Sequence, residues 1–155
     1  MIDPQLDSNF LIRLLKGEQT FVEYATEHRS AGLNVYSAVL AEFLQKGTLE
    51  EFMALQGQYG IRLADDCTPN EVSAVAARLR SAFGGTGRVL SEEDARVLAT
   101  AFLRREPFAT GDLQLFKRAK DLGLNADFIG PGNAATKARN YVPQLVQIAP
   151  EATHL

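Results

Sequence analysis

The sequence predicts an α/β sandwich built on a parallel sheet. Short runs rich in β-branched and aromatic residues alternate with longer stretches of helical apolar spacing. Helix-start and helix-stop signals fall between most of them. The 155 residues, 46% hydrophobic and 23% charged, suit one globular domain rather than a disordered chain. Strands separated by helices pair in parallel through right-handed crossovers. A chain of this length buries roughly 68–70% of its unfolded surface, so it needs neither a disulfide nor a metal to fold.

A short first strand carrying Pro4 ends at Asp7. Phe10, Leu11, Leu14 and Leu15 recur at helical spacing, and Gly17 stops that helix. Thr20 to Arg29 reads as a second helix ended near Gly32, and Leu33 to Tyr36 as a strand. Ser37 is placed to cap the next helix, whose stripe is Val39, Leu40, Phe43 and Leu44, with Gly47 at its end. Thr48-Leu49-Glu50-Glu51 and Thr68-Pro69-Asn70-Glu71 are capping boxes that start two further helices on either side of a strand at Ile61–Ala64. The second helix runs to Phe83, before the Gly84-Gly85-Thr86-Gly87 loop. Then come a helix over Ser91–Arg104, a strand at Pro107–Thr110, a helix over Leu113–Leu122 stopped by Gly123, and a last strand at Ala126–Ile129. Gly130-Pro131-Gly132 marks the end of a domain spanning 1–130. In the extension, 131–155, Ala134 to Val142 has helical character, which Pro143 interrupts and Pro150 closes.

Sixteen Lys and Arg against nineteen Asp and Glu leave a net charge of −3. That balance argues against coating nucleic acid by bulk positive charge, but does not exclude an enzyme that neutralises its own acidic site with metal ions. A lone cysteine, Cys67, forbids an internal disulfide and fits a reducing cytosol. Met1 to Asp7 contains no basic region and no apolar signal core, and no apolar run approaches the roughly 20 residues that cross a bilayer. The expectation is a cytoplasmic protein with no membrane contact.

Ligands of open α/β sheets bind beyond the carboxyl ends of the strands, so the acids that fall there matter most. Asp7 and Asp112 stand at equivalent strand-to-helix junctions, where each serves either as a helix cap or as a ligand. Asp94 lies in line with Val97, Leu98 and Ala101 on an apolar helix face. It is either the last member of a capping box begun by Ser91 or a buried carboxylate that needs a cation. Glu42 flanks the Val39, Leu40, Phe43 stripe, where a solvated position is the ordinary outcome. Carboxylates that converge repel one another unless cations sit among them, and such oxygen ligands select Mg²⁺ or Mn²⁺.

Four segments, in order, resemble the PIN-domain nucleases, most closely the VapC-type toxin ribonucleases of toxin–antitoxin pairs. They are Asp7-Ser8-Asn9-Phe10-Leu11-Ile12, Ser37 to Gly47 around Glu42, Glu93-Asp94-Ala95 leading to Leu98-Ala99-Thr100-Ala101, and Thr110-Gly111-Asp112. The resemblance runs from about residue 5 to residue 129. It implies a three-layer α/β/α sandwich around a short central parallel sheet and cleavage of single-stranded RNA by metal-activated water. It also implies an antitoxin protein as partner, a homodimer, and Mg²⁺ or Mn²⁺ held by Asp7, Glu42, Asp94 and Asp112. Ser8, Asn9 and Thr110 take the places where the family orients a carboxylate or water. The sequence departs from the family in its short first strand, in Gln114 and Phe116 where many members carry another acid or amide, and in everything after Gly130.

Arg13 and Lys16 follow Asp7, and Lys117, Arg118 and Lys120 follow Asp112. Each set either flanks the cleft mouth to grip phosphate or simply solvates the surface. Arg104-Arg105 reads as a helix end favoured by the dipole. Phe10, Phe43 and Phe102 sit at core spacing. His28 and His154 show no ligand or triad spacing, Cys67 follows Asp65-Asp66, which disfavours a thiolate, and the glycine loop lacks the residues of a P-loop. Two alternatives compete with the nuclease. One is a PIN-like module that binds RNA or protein without turnover. The other is a Mg-dependent phosphatase of the haloacid dehalogenase type, which wants an aspartate where Asn9 stands.

Overall fold

A computed structural model describes residues 4–64 and 67–148. Met1–Asp3, Asp65–Asp66, Pro150 and His154, on which some expectations fall, lie outside the described residues. The elements run β1 (Gln5–Leu6), α1 (Ser8–Leu15), α2 (Gln19–His28), β2 (Leu33–Tyr36), α3 (Ser37–Phe43), α4 (Leu49–Tyr59), β3 (Ile61–Ala64), α5 (Pro69–Phe83) and α6 (Glu92–Arg104). They continue with β4 (Phe108–Thr110), α7 (Leu113–Asp121), β5 (Ala126–Phe128) and α8 (Gly132–Asn140).

The five strands form one sheet in the order β3-β2-β1-β4-β5, every pair parallel. The chain steps outward from β1 to β3, then returns across the sheet to β4 and β5. Right-handed crossovers in opposite directions put helices on both faces, which gives the three layers. The burial pattern agrees. All residues of β1, β2 and β4 are buried, whereas the outer strands β3 and β5 expose Arg62, Leu63 and Asp127. Leu6, Leu33, Val35 and Phe108 meet Phe10, Phe21, Phe43 and Leu98 in one core. No described helix is long and apolar enough to cross a membrane.

The expected elements are present, with ends shifted by a residue or two, and the threonine boxes at the starts of α4 and α5 are complete. Ser37 is a correction. It is the first residue of α3, and Tyr36, which holds the cap position, makes no side-chain cap bond. The strand before it runs straight into the helix, so the capping place falls on a strand residue.

After Gly130 the chain folds back onto the domain. Ala138 is buried, and Val146 and Ile148 pack against the core. Asp121 holds this segment. Its carboxylate accepts from the Tyr141 hydroxyl at 2.6 Å, the Gln144 N–H at 2.9 Å and the Arg88 guanidinium at 2.9 Å. Arg118 completes the ion pair at 3.3 Å. A carboxylate with no solvent exposure needs such company, because an unpaired buried charge is costly.

Candidate functional site

The strand order reverses between β1 and β4, the place where open parallel sheets offer a crevice at their carboxyl ends. Asp7 follows β1 directly and is 3% exposed. One carboxylate oxygen, Oδ1, caps α1 by accepting the Phe10 N–H at 2.8 Å. The other, Oδ2, accepts the Thr110 hydroxyl at 2.5 Å. Thr110 is fully buried at the end of β4, and the same hydroxyl oxygen accepts the Asp112 N–H at 2.9 Å. One threonine therefore ties the acid at the end of β1 to the acid after β4. Asp112 in turn caps α7 with Oδ1, accepting the Gln114 and Leu115 N–H groups at 2.9 and 3.1 Å. Both aspartates are caps, and both stand at the crevice.

Gly111 makes this approach possible. A Cβ there would lie 2.6 Å from Asn9 Oδ1 and 2.6 Å from the Phe21 ring. Asn9 is held in place from the other side, where its Oδ1 accepts from Arg13 Nε at 3.2 Å.

The four acids of the resemblance act on one another. Burial pushes the Asp7 carboxyl up from 3.8 to about 7. The Thr110 and Phe10 hydrogen bonds pull against that rise, and the charges of Asp112 and Glu42 add to it. Asp94 is also raised, first by burial and then by Asp112, with Glu42 and Glu93 contributing and Ser91 opposing. Asp112 and Glu42 thus press on both of the other acids, as like charges in a poorly solvated crevice do. Among the described residues, no three acidic, imidazole or thiol groups stand close enough to form a ready cation cage. The acids share a field without touching.

At α6 the Ser91 hydroxyl caps the helix by accepting the Asp94 N–H at 3.1 Å, so the capping alternative holds for the backbone. In α4 and α5 the glutamate at that place reaches back to the threonine N–H. No such return bond forms from Asp94, whose side chain is shorter by one methylene. Its carboxylate feels the charges of Asp112 and Glu42 and is eased by a hydrogen bond from Ser91.

Two small hollows flank Glu42. One, of about 180 Å³, is lined by Ser8, Asn9, Glu42, Lys46 and Asp112. The other, of about 170 Å³, is lined by Gln45, Glu93 and Arg96 on the far side of the same glutamate. Ser8 and Asn9 thus line the hollow that Glu42 and Asp112 share, and Thr110 bonds to Asp7.

The basic residues are arranged differently from expectation. Arg118 is a correction: it is 5% exposed and paired with buried Asp121, so it cannot reach a phosphate at the cleft mouth. Lys117 lies over the Tyr141 ring at 5.4 Å, toward the C-terminal segment. Arg13 pairs with Glu18 at 3.0 Å and steadies Asn9, which makes it a support. Lys16 is exposed just beyond α1, and Lys120 is half-buried on α7. The cations that line the hollows are Lys46 and Arg96. Lys46 stands in the turn just after α3, four residues past Glu42, where no sequence signal marked it. Nothing in the sequence singled out Arg96. Tyr24 stacks on His28 at 4.0 Å, which leaves that histidine a structural role.

Solved structures resemble this chain in fold and only distantly in sequence. The DNA-bound VapBC of Salmonella typhimurium superposes with a TM-score of 0.65 at 18% identity, over 83% of this chain and 98% of that one. VapBC2 of Rickettsia felis, bound to a DNA fragment from their promoter, gives 0.67 at 15% identity, over 83% and 100%. FitAcB of Neisseria gonorrhoeae gives 0.56 at 19% identity, over 79% and 94%. The chain has the PIN-like fold. No protein-family model and no curated protein matches it by sequence. At such identities the likeness covers the fold and not the chemistry. What the PIN-like fold contributes is placement, bringing Asp7, Asp94 and Asp112 from three separate stretches of chain into one field.

Proposed function

We propose that this chain is a metal-dependent endoribonuclease that cleaves single-stranded RNA, and that it is the toxin of a toxin–antitoxin pair in the cytoplasm. One observation carries the reading. Asp7 is buried at the switch point of the sheet and pushed up to about 7 by that burial together with the charges of Asp112 and Glu42, and no cation among the described residues contributes to lowering it. A site that concentrates negative charge in this way is suited to a cation from outside.

The donor set fits a hard divalent ion, because it offers carboxylate oxygens and no sulfur or imidazole. Asp7, Asp94 and Asp112 would hold Mg²⁺ or Mn²⁺, with Glu42 as a further ligand or as the group that orients water. When bound, such an ion makes water a stronger nucleophile at neutral pH and offsets the charge of a phosphodiester. The protein's own groups supply the rest. Thr110 fixes the Asp7 carboxylate and the Asp112 backbone together. Asn9, held by Arg13, presents an amide at the rim. Lys46 meets the phosphate on one side of Glu42 and Arg96 on the other, so an acidic protein grips a polyanion locally rather than through net charge.

The likeness to VapBC and FitAB complexes supports an antitoxin partner that covers this cleft, and a homodimer fits the same reading. Purified protein incubated with single-stranded RNA should yield fragments with Mn²⁺, none with EDTA, and none from Asp7→Asn. Absence of metal-dependent fragments from any RNA would contradict the nuclease. It would favour the second reading, a binding module without turnover, to which the lack of a ready cage among the described acids also points.

A further inference from the structure

We propose that the hollow between α3, α5 and α6 is a nucleobase subsite, which receives one unstacked base of the RNA strand next to the scissile phosphate. This rests on the nuclease reading and adds a specificity element to it. The hollow measures about 410 Å³, within the roughly 300–1,000 Å³ typical of small-ligand pockets. Its walls are Ala38, Ala41 and Val72, with Tyr36 at the head of α3 and the hydroxyl residues Ser73 and Thr100 also lining it; the Thr100 hydroxyl donates to the Arg96 backbone carbonyl at 3.1 Å. Apolar walls with a few polar edges match a base, which has flat apolar faces and a hydrogen-bonding rim.

The hollow continues into the acidic cleft. Ala38, Ala41 and Arg96 line both it and the smaller hollow beside Glu42, and Glu42 in turn lines the one that holds Asp112. Ser37 and Glu42 are five residues apart on α3, roughly 7.5 Å along the axis. Arg96 stands at the junction. It is half-exposed and engaged only at the surface with Glu92 at 3.0 Å, so its guanidinium is positioned for the phosphate linking the base to the cleavage point. Base, cation and acids thus follow one another in the order a single strand would meet them.

A peptide fits less well. None of its lining residues belongs to β3, although Cys67 and Pro69 just past that strand do line it, so it offers a peptide no strand edge to pair with.

The test is binding of fluorescein-labelled eight-nucleotide A, C and U homopolymers in EDTA, where no cleavage occurs, read by fluorescence anisotropy. Ser73→Leu and Ala38→Leu plug the hollow from two walls with aliphatic groups that offer no aromatic face for stacking. Circular dichroism checks that both fold. Wild type should rank the three homopolymers at least fivefold apart. Each plug should weaken the best of them about tenfold and level the ranking. Wild-type affinity and ranking in both folded plugs would overturn the subsite. If Lys46→Ala still weakened binding in that case, the nuclease reading would stand without it. If wild type bound none of the three, the subsite and that reading would fall together. Unchanged RNA affinity with loss of binding to a purified antitoxin would make the hollow a protein-docking site and overturn the proposal.

Discussion

Two aspartates in this molecule are buried to nearly the same degree and live in opposite electrostatic company. Asp121, with no exposure, accepts from Arg88, Tyr141 and the Gln144 backbone and is ion-paired to Arg118. Asp7, 3% exposed, has one hydroxyl and one N–H, and its charged neighbours are Asp112 and Glu42. Burial alone therefore does not mark a functional acid, since a fold can neutralise a buried carboxylate when it needs one for structure. The mark is a buried carboxylate surrounded by its own sign. The helix caps make the same point, because α4 and α5 are capped by neutral threonine in exposed boxes. Threonine would serve at α1 and α7 too, so the cap requirement alone does not account for charge at those strand ends.

The largest effect expected from this contrast is at Asp121. Asp121→Asn breaks a buried ion pair and should destabilise the protein by about 3–5 kcal/mol in urea unfolding. RNA cleavage per folded molecule should be unchanged. Arg118→Ala should follow it in direction.

Asp7→Asn should do the reverse in metal-free buffer. Its carboxyl is raised from 3.8 to about 7, so between those values the folded protein keeps a proton that the unfolded chain has released. Stability contributed by this group is present below about pH 4 and falls as pH rises to about 7. Asp7→Asn should flatten that fall and unfold at higher temperature than wild type at pH 8, an effect on the order of a few kcal/mol. Cleavage should drop by about two orders of magnitude or more. Loss of stability at pH 8 would place Asp7 in the same class as Asp121.

Thr110→Val removes a donor to Asp7 and an acceptor for Asp112 at once, and should cost about 1–3 kcal/mol. Because the Thr110 hydrogen bond lowers the Asp7 carboxyl, its loss should also shift the acidic limb of the cleavage profile to higher pH. The smallest change is at the exposed box, where Thr48→Ala should cost about 1 kcal/mol and leave cleavage untouched.

Much of the layered fold was legible because its signals are local. The boxes at Thr48 and Thr68, the stop at Gly17 and the periodic apolar stripes each depend on residues a few positions apart. The acids at positions 7, 94 and 112 were legible as a pattern, through order and junction placement. The pairing of Arg118 with Asp121 was not. A cation on a helix after an acidic junction looks the same in sequence whether it faces RNA or a buried carboxylate, and the decision rests on Arg88 and Tyr141, which approach from distant chain. Lys46 and Arg96 were hidden for the same reason: the hollow that Lys46 lines exists only where α1, α3 and the start of α7 meet, and the one that Arg96 lines only where α3 and α6 meet.

The central claim is that Asp7, Asp94 and Asp112 form a single anionic crevice that a divalent ion neutralises. Calorimetric titration of Mn²⁺ into wild type, Asp7→Asn, Asp94→Asn, Asp112→Asn and the control Glu51→Gln addresses it directly. The account predicts saturable binding in wild type and Glu51→Gln, weakened at least tenfold in each of the other three. Equal affinity in all five proteins, or no binding to wild type, would contradict it.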